Sequence, residues 1–411
     1  GGYKRALSFD MGGTTAKITL IDDFAPQQSR HFEVARAYRF AKGSGIPVRI
    51  PVIDMVEIGA GGGSIARVDA LRRIAVGPDS AGSHPGPACY GRGGSAPTVT
   101  DADVVLGRID PKGFAGGKIG LLPELAETAV IGDVGGALGM DVEEAARGIA
   151  EIVDETMASA ARVHAVENGK DTVERTLIAF GGAAPLHAAR LAQKLGIRRV
   201  VIPVDAGVGS AHGFLDAPIA YEVVRTSLMQ LGALDPVAVE GLFKEMHAEA
   251  EAVVRLGYPA GTLTEHRVAF MRYRGQGHEI AVEINGALDP GALRTAFEAT
   301  YAQLFGRIIP KLEIEAVTWT LALSQPYALP EADPPPAIAE PATPAGKRRM
   351  MESGSGETVD APVFHRPDLE PGHTMRGPAA VTEAGTTTIV PSGFTARIAY
   401  GGEIIIEGGI R

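Results

Sequence analysis

The sequence has one cysteine, Cys89, no apolar run long enough to cross a bilayer, and no excess of positive charge. A single cysteine excludes a disulfide within the chain and fits a reducing compartment, so a cytoplasmic location is expected. Without a run of about 18 apolar residues, no transmembrane helix is expected. A formal net charge of −10 over 411 residues argues against nonspecific binding to nucleic acid or to anionic membranes. The chain opens Gly1-Gly2-Tyr3, without an initiating Met or a signal-peptide pattern. What is present is a globular composition, 45% apolar and 21% charged, with 53 glycines and 28 prolines marking many tight turns. At roughly 150 residues per domain the length allows two or three domains with ample core.

The most informative stretch is Phe9-Asp10-Met11-Gly12-Gly13-Thr14-Thr15-Ala16-Lys17. Short apolar runs on either side, 6–9 and 18–21, predict two strands joined as a tight β-hairpin. Two glycines suit a turn with φ > 0 and let backbone N–H groups approach a ligand. Thr14 and Thr15 add hydroxyl donors, and Asp10 places a carboxylate at the strand end. Donors for oxyanions beside one carboxylate suit a nucleotide phosphate with its Mg²⁺, the carboxylate holding the metal through water. An ordinary Gly-Gly hairpin turn is the bland alternative. A chain opening so close to a phosphate hairpin is expected to be a fragment, a processed chain or one lacking an N-terminal part.

Strands are expected over 31–40 and 47–54. The second runs into Gly59-Ala60-Gly61-Gly62-Gly63-Ser64. Gly61, Gly62 and Gly63 make a second backbone-lined loop, read either as a ligand-facing wall or as a packing loop where two backbones nearly touch. Asp54 and Glu57 flank it as acid–base or metal candidates, or as solvated carboxylates. Residues 77–101 are a long Gly/Pro/Ser-rich segment of the kind that is usually functional or interfacial. His84, Cys89 and Asp101 within it are metal-ligand types, but their spacing fits no zinc pattern, and a buried small Cys is the better reading. Further on, Asp141 with Glu144 predicts a capping box opening a long helix that Asn168-Gly169 stops. His164 on that helix reads as a core-edge residue.

Arg175 to Phe180 predicts a strand, Gly181-Gly182-Ala183-Ala184-Pro185 a turn, and Leu186 to Gly196 a helix. Strand, Gly-Gly turn and helix let a flat adenine or ribose lie on bare backbone at Gly181, Gly182 and Ala183. A plain strand-to-helix turn is the alternative. The small residues of 205–215 suit close packing at a hinge between lobes. Beyond 222 the pattern becomes α+β. Residues 325–346 carry seven prolines and read as an extended tether, followed by short strands of a small β-domain completing a C-terminal region. Lys347-Arg348-Arg349 reads as a solvated charge run. The expected division is 1–222, 223–324 and 325–411.

Five segments together resemble the hydantoinase A/oxoprolinase family, and its N-methylhydantoinase A-like branch in particular. They are FDMGGTTAK (9–17), VEIGAGGGSIARVD (56–69), VGPDSAGSHPGPACYGRGG with PTVTDADVVLGRID (76–110), AFGGAAPLHAARLA (179–192) and MRYRGQGHEI (271–280). The resemblance covers nearly the whole chain. It implies an α/β fold, an actin-like ATPase (ribonuclease H-like) lobe, followed by an α+β region with a small β-domain. It also implies two phosphate hairpins, one per lobe. The 10–15 hairpin then corresponds to the second and 180–185 to the adenosine motif, while the N-terminal lobe with the first hairpin is absent. Two departures stand out: there is no second Asp-x-Gly-Gly-Thr, and Lys17 stands where many relatives have Asp.

The resemblance implies ATP and Mg²⁺ as cofactors, with Asp10 and Thr14 catalytic and Asp10 as metal ligand. Gly12, Gly13, Thr14 and Thr15 hold phosphates, Gly181, Gly182 and Ala183 face the adenosine, and Gly61, Gly62 and Gly63 line the cleft. The implied activity is phosphorylation of a cyclic amide (hydantoin or lactam) carbonyl for ring opening, with a B-type hydantoinase subunit as partner in a hetero-oligomer. A ketone carboxylase subunit, a small-molecule kinase and a noncatalytic assembly subunit with a vestigial half-site remain alternatives.

Overall fold

Leu7, Phe9 and Met11 alternate along strand Arg5–Met11 and are fully buried. The structure, a computed structural model, describes residues 2–29, 32–34, 44–48, 52–286, 288–328, 334, 339–352 and 354–408. Arg5–Met11 turns back into Ala16–Asp22 in antiparallel register, with Asp10 opposite Lys17 and Met11 opposite Ala16. On its other side it pairs in parallel with Thr176–Phe180, which pairs in parallel with Arg199–Ile202. These two parallel strands are linked by helix Ala184–Leu195, a βαβ crossover. Leu177, Ala179, Val200 and Ile202 are buried, as expected for strands covered on both faces.

Helix Val142–Glu167 packs against this sheet with Ile149, Val153, Met157 and Ala161. It starts at the capping box of Asp141 and Glu144. Truncating a core side chain such as Met157 to Ala is expected to cost about 2–5 kcal/mol. Of the strand expected over 31–40, only Phe32–Val34 is a described strand; 31 and 35–40 lie outside the described residues. In 47–54, Val48 ends Ile46–Val48 and Val52–Ile53 is a separate short strand, while 49–51 lie outside. The Gly/Pro/Ser-rich segment is more ordered than its composition suggests. Ile74–Ser80 pairs with Ser64–Val68, and Thr98 with Asp101 forms a capping box on helix Val99–Val105.

The C-terminal residues go elsewhere than the sequence suggests. Ile404–Gly408 pairs antiparallel with Arg199–Ile202, and Phe394–Ile398, His373–Arg376 and Glu340–Pro341 extend the same sheet outward. The physical reason is the Ile404-Ile405-Ile406 run, which needs cover on both faces and finds it beside the edge left open by Arg199–Ile202. Packing divides the chain into one unit of Gly1–Phe214 with Glu331–Arg411, and a second of Leu215–Pro330. The division falls within helix Gly209–Asp216. Of the run Lys347 to Arg349, in strand Gly346–Met351, Lys347 and Arg349 are exposed as expected, while Arg348 is half-buried and donates to the Arg108 carbonyl at 3.2 Å.

The second unit is an antiparallel sheet, Ala220–Gln230, Ile314–Ser324, Thr264–Tyr273 and Ile280–Glu283 in that order. Helices Pro236–Gly257 and Pro290–Phe305 contribute Phe243 and Phe297 to its core. Trp319 is buried there, edge-on to Phe243, and its indole N–H donates to the Ser227 carbonyl.

Candidate functional site

The turn of the opening hairpin stands clear of the core. Gly12 N–H donates to Thr15 C=O at 3.2 Å, closing a tight turn. Gly13 and Thr14 are exposed, and Gly12 and Thr15 are half-buried. Neither glycine takes positive φ, contrary to the expectation from sequence. Their value is space: a Cβ added at Gly12 or Gly13 would meet nothing within 4 Å. The bare backbone is open to a ligand on that side.

Three segments brace this turn. The first is the loop at 61–64. Gly62 and Gly63 N–H donate to the Gly12 and Gly13 carbonyls at 3.0 and 2.6 Å, and Gly61 N–H donates to Ser64 Oγ at 2.9 Å. A Cβ on Gly61 would stand 2.5 Å from Thr14 N. All three glycines are buried and their N–H groups are already bonded. This corrects the cleft-lining role expected for Gly61, Gly62 and Gly63: the loop packs beneath the hairpin and presents no free donor. Thr100 holds it from behind, with N–H and Oγ1 both donating to Gly62 C=O at 2.7 and 2.9 Å.

The second brace is the 181–183 turn. Ala183 N–H donates to Met11 C=O at 3.0 Å. Gly181 has φ +100°, and a Cβ there would lie 2.5 Å from Met11 O and 2.6 Å from Asp10 Oδ1. Only glycine fits such a position. The third brace is the start of helix Gly209–Asp216, where Ser210 Oγ donates to Asp10 Oδ2 at 2.9 Å. The structure therefore brings Asp10, Gly12, Gly13, Thr14 and Thr15 together with Gly181, Gly182 and Ala183. A half-buried carboxylate beside exposed backbone and hydroxyl donors fits a Mg²⁺ that keeps waters and shares phosphate oxygens, with Asp10 as the protein ligand.

One contributor was not legible in the sequence. The turn Glu383-Ala384-Gly385-Thr386, between strands Ala379–Thr382 and Thr387–Val390, returns to the 181–183 turn. Thr386 Oγ1 donates to Gly182 C=O at 2.9 Å, and a Cβ on Gly207 would lie 2.9 Å from Gly385. A cavity of about 290 Å³ opens beside exposed Gly182, lined by Phe114, Leu186, Glu383, Gly385 and Thr386 among others. Burial pushes the Glu383 carboxyl up against the opposing pull of Arg366. The Gly-Thr-Thr-Thr run at 385–388, echoing Gly-Thr-Thr at 13–15, is the signal that could have found it.

The other candidates do not join this group. Cys89 is buried, its thiol is pushed up by burial and by Asp101, and its N–H donates to Asp101 Oδ1 at 2.7 Å. His84 is exposed, and among the described residues no group of three metal-ligand side chains could hold an ion alone. Lys17 and Glu57 are exposed cross-strand neighbours. The Asp54 carbonyl accepts from Thr19 Oγ1.

Residues 1–223 match the hydantoinase/oxoprolinase family, and residues 237–400 match the hydantoinase/oxoprolinase C-terminal domain. The chain belongs to this family. The caprolactamase alpha subunit of Pseudomonas jessenii is 34% identical over 406 residues, which is 96% of this chain and 57% of that protein. The acetophenone carboxylase gamma subunit of Aromatoleum aromaticum is 30% identical over 99% of this chain and 57% of its own length. Two solved structures agree in fold over 99% of this chain and 59% of theirs. One is acetone carboxylase in its nucleotide-free form, from a study of ATP-dependent carboxylation, with TM-score 0.80 and 26% identity. The other is the ATP-dependent caprolactamase of Pseudomonas jessenii, with TM-score 0.78 and 31% identity. The chain thus spans somewhat more than half the length of these relatives. No helix among the described residues is long and apolar enough to cross a membrane.

Proposed function

We propose that this chain carries the second phosphate hairpin and the nucleoside face of an ATP-dependent amide-opening enzyme, on a lobe of the actin-like ATPase kind. The observation that carries the proposal is the contrast at the hairpin. Gly12 and Gly13 leave space for a ligand, while every segment behind them is packed and bonded. The Gly13 and Thr14 N–H groups and the Thr14 and Thr15 hydroxyls would donate to phosphate oxygens. Asp10, which accepts from Ser210 Oγ, would hold a magnesium ion or orient the attacking group, and Thr14 would steady the phosphoryl oxygens as charge shifts. Exposed Gly182 would face the nucleoside and the cavity beside it would receive the base, whereas Gly181 and Ala183, their N–H groups bonded to the Ala206 and Met11 carbonyls, support the turn from behind.

Bound MgATP would supply the phosphoryl group that turns a carbonyl oxygen into a leaving group. The chain's own part is to hold phosphates, keep Asp10 in place and exclude side chains from the approach. A cyclic amide, hydantoin or lactam, is the favoured substrate class, supported by the 34% identity to a caprolactamase subunit. A B-type subunit and an N-terminal lobe would complete the enzyme as a cytoplasmic hetero-oligomer. A ketone carboxylase subunit is the second reading, supported by the TM-score of 0.80 to acetone carboxylase.

The test is ATP consumption by the assembled enzyme with lactams, hydantoins and ketones. Ring-opened acid with free phosphate supports the amidase, and bicarbonate-dependent consumption with a ketone supports the carboxylase. The absence of both would refute the proposal. Gly182→Val should weaken MgADP binding by about ten-fold in calorimetry, because a Cβ there fits and the larger side chain fills the cavity. Unchanged affinity would remove Gly182 from the nucleoside face.

A further inference from the structure

Beneath the hairpin braces lies a buried ionic group that the nucleotide half-site does not use. His187, on helix Ala184–Leu195, is fully buried. Its Nδ1 is hydrogen-bonded at 2.9 Å to Asp154 Oδ1 on helix Val142–Glu167, and its Nε2 makes an ionic contact at 3.2 Å, without hydrogen-bond alignment, to Asp103 Oδ2 on helix Val99–Val105. Arg108 Nη1 donates to Asp103 Oδ1 at 2.8 Å, with both side chains buried. A neutral imidazole has one N–H, so its other nitrogen would turn a lone pair toward a buried carboxylate. Moving the proton to Asp103 instead would discard that carboxylate's charge pairing with Arg108. Two carboxylates, one guanidinium and one imidazolium form a neutral set. Burial alone would lower the His187 pKa, but Asp103 and then Asp154 outweigh it and hold it at about 10.

The helices joined here are the ones that brace the hairpin. Helix Val99–Val105 carries Thr100, which holds Gly62, which in turn donates to Gly12. Helix Ala184–Leu195 begins at Ala183, which donates to Met11. Adjacent hairpin residues are thus held by two helices that share one ionic centre.

We propose that His187 is a positioning residue whose imidazolium ties helices Val99–Val105 and Ala184–Leu195 to helix Val142–Glu167 and so fixes the Asp10–Thr15 hairpin for nucleotide. This rests on the reading of that hairpin as a phosphate holder. It goes further by assigning the support to a protonated histidine remote from any ligand.

Two measurements test it. Nitrogen-15 histidine spectra of the full chain at pH 8 should show one imidazole protonated on both nitrogens, assigned to His187 by its correlation to that residue's own backbone. A neutral tautomer at His187 would overturn the proposal without any variant having to fold. The second measurement is hydrogen exchange in His187→Gln and in His187→Gln with Asp154→Asn, which restores the charge balance without the ionic ties. Amides of 10–16 and 60–64 should exchange at least about ten-fold faster in the double variant, beyond the acceleration that its change in global stability accounts for. Acceleration confined to the three helices would mean a merely structural role and would overturn the positioning claim. If neither variant folds, Thr100→Val leaves the ionic group intact and must still loosen 60–64; if it does not, the link to the hairpin is refuted. MgADP calorimetry on the unaltered chain separates the two ideas. Absent binding with a doubly protonated His187 and a loosened variant hairpin counts against the phosphate reading and leaves the support intact.

Discussion

The two glycine runs of the first unit are alike in sequence and opposite in use. Gly61, Gly62 and Gly63 are buried against the hairpin, so close that a methyl group on Gly61 would stand 2.5 Å from the Thr14 nitrogen. Gly12 and Gly13 face open space. One run removes side chains so that two backbones can meet. The other leaves its backbone uncovered by the rest of the chain. Glycine density alone marks close approach; only the partner tells packing from binding.

Four perturbations probe this difference. Asp10→Ala, beside the open run, should lower turnover of the assembled enzyme by about a thousand-fold while leaving its melting temperature nearly unchanged. Retained turnover would remove Asp10 from the mechanism. Gly61→Ala, in the packed run, should destabilise the first unit by about 3 kcal/mol or more, or move the hairpin. A denaturant midpoint equal to the parent's would show that the two backbones are not tightly apposed.

The third perturbation is pH. The folded-state pKa of His187, about 10, lies above its ordinary 6.5. Its contribution to stability is therefore complete below about pH 6.5 and is lost as pH rises through 10, at most about 1.4 kcal/mol for each unit between the two values. Against His187→Gln with Asp154→Asn, the parent's thermal midpoint should fall more steeply across that window; parallel curves would contradict the shift. The smallest stability effect is expected at Gly12→Ala. It should stay within about 0.5 kcal/mol of the parent, yet weaken MgADP binding. Comparable destabilisation by Gly12→Ala and Gly61→Ala would erase the distinction drawn between the runs.

Local features of the fold were legible because each announces itself within a few residues. The hairpin, the capping box at Asp141 and the strand–turn–helix at 176–195 all emerge where composition and periodicity place them. The rest depends on partners far away in sequence. Nothing near Ile404 says that it will lie beside Ile202, and the Gly-Thr-Thr-Thr run around Thr386 marks a candidate turn without naming Gly182 as its partner. Gly61 to Gly63 left two readings open because the deciding atoms belong to the hairpin. His187 is one of several polar residues on helix Ala184–Leu195, and nothing near it in sequence announces Asp103 and Asp154 around it.

The pairing of Ile404–Gly408 with Arg199–Ile202 also orders events in time. The second unit, Leu215–Pro330, is continuous and can complete its antiparallel sheet as soon as its own residues have emerged during synthesis. The first unit is split around it. Its open edge, and the turn that closes over Gly182, must wait about 200 residues for strands that come last. The unit that carries the proposed nucleotide face is therefore the one that matures last, with an apolar strand edge uncovered until its final strands arrive.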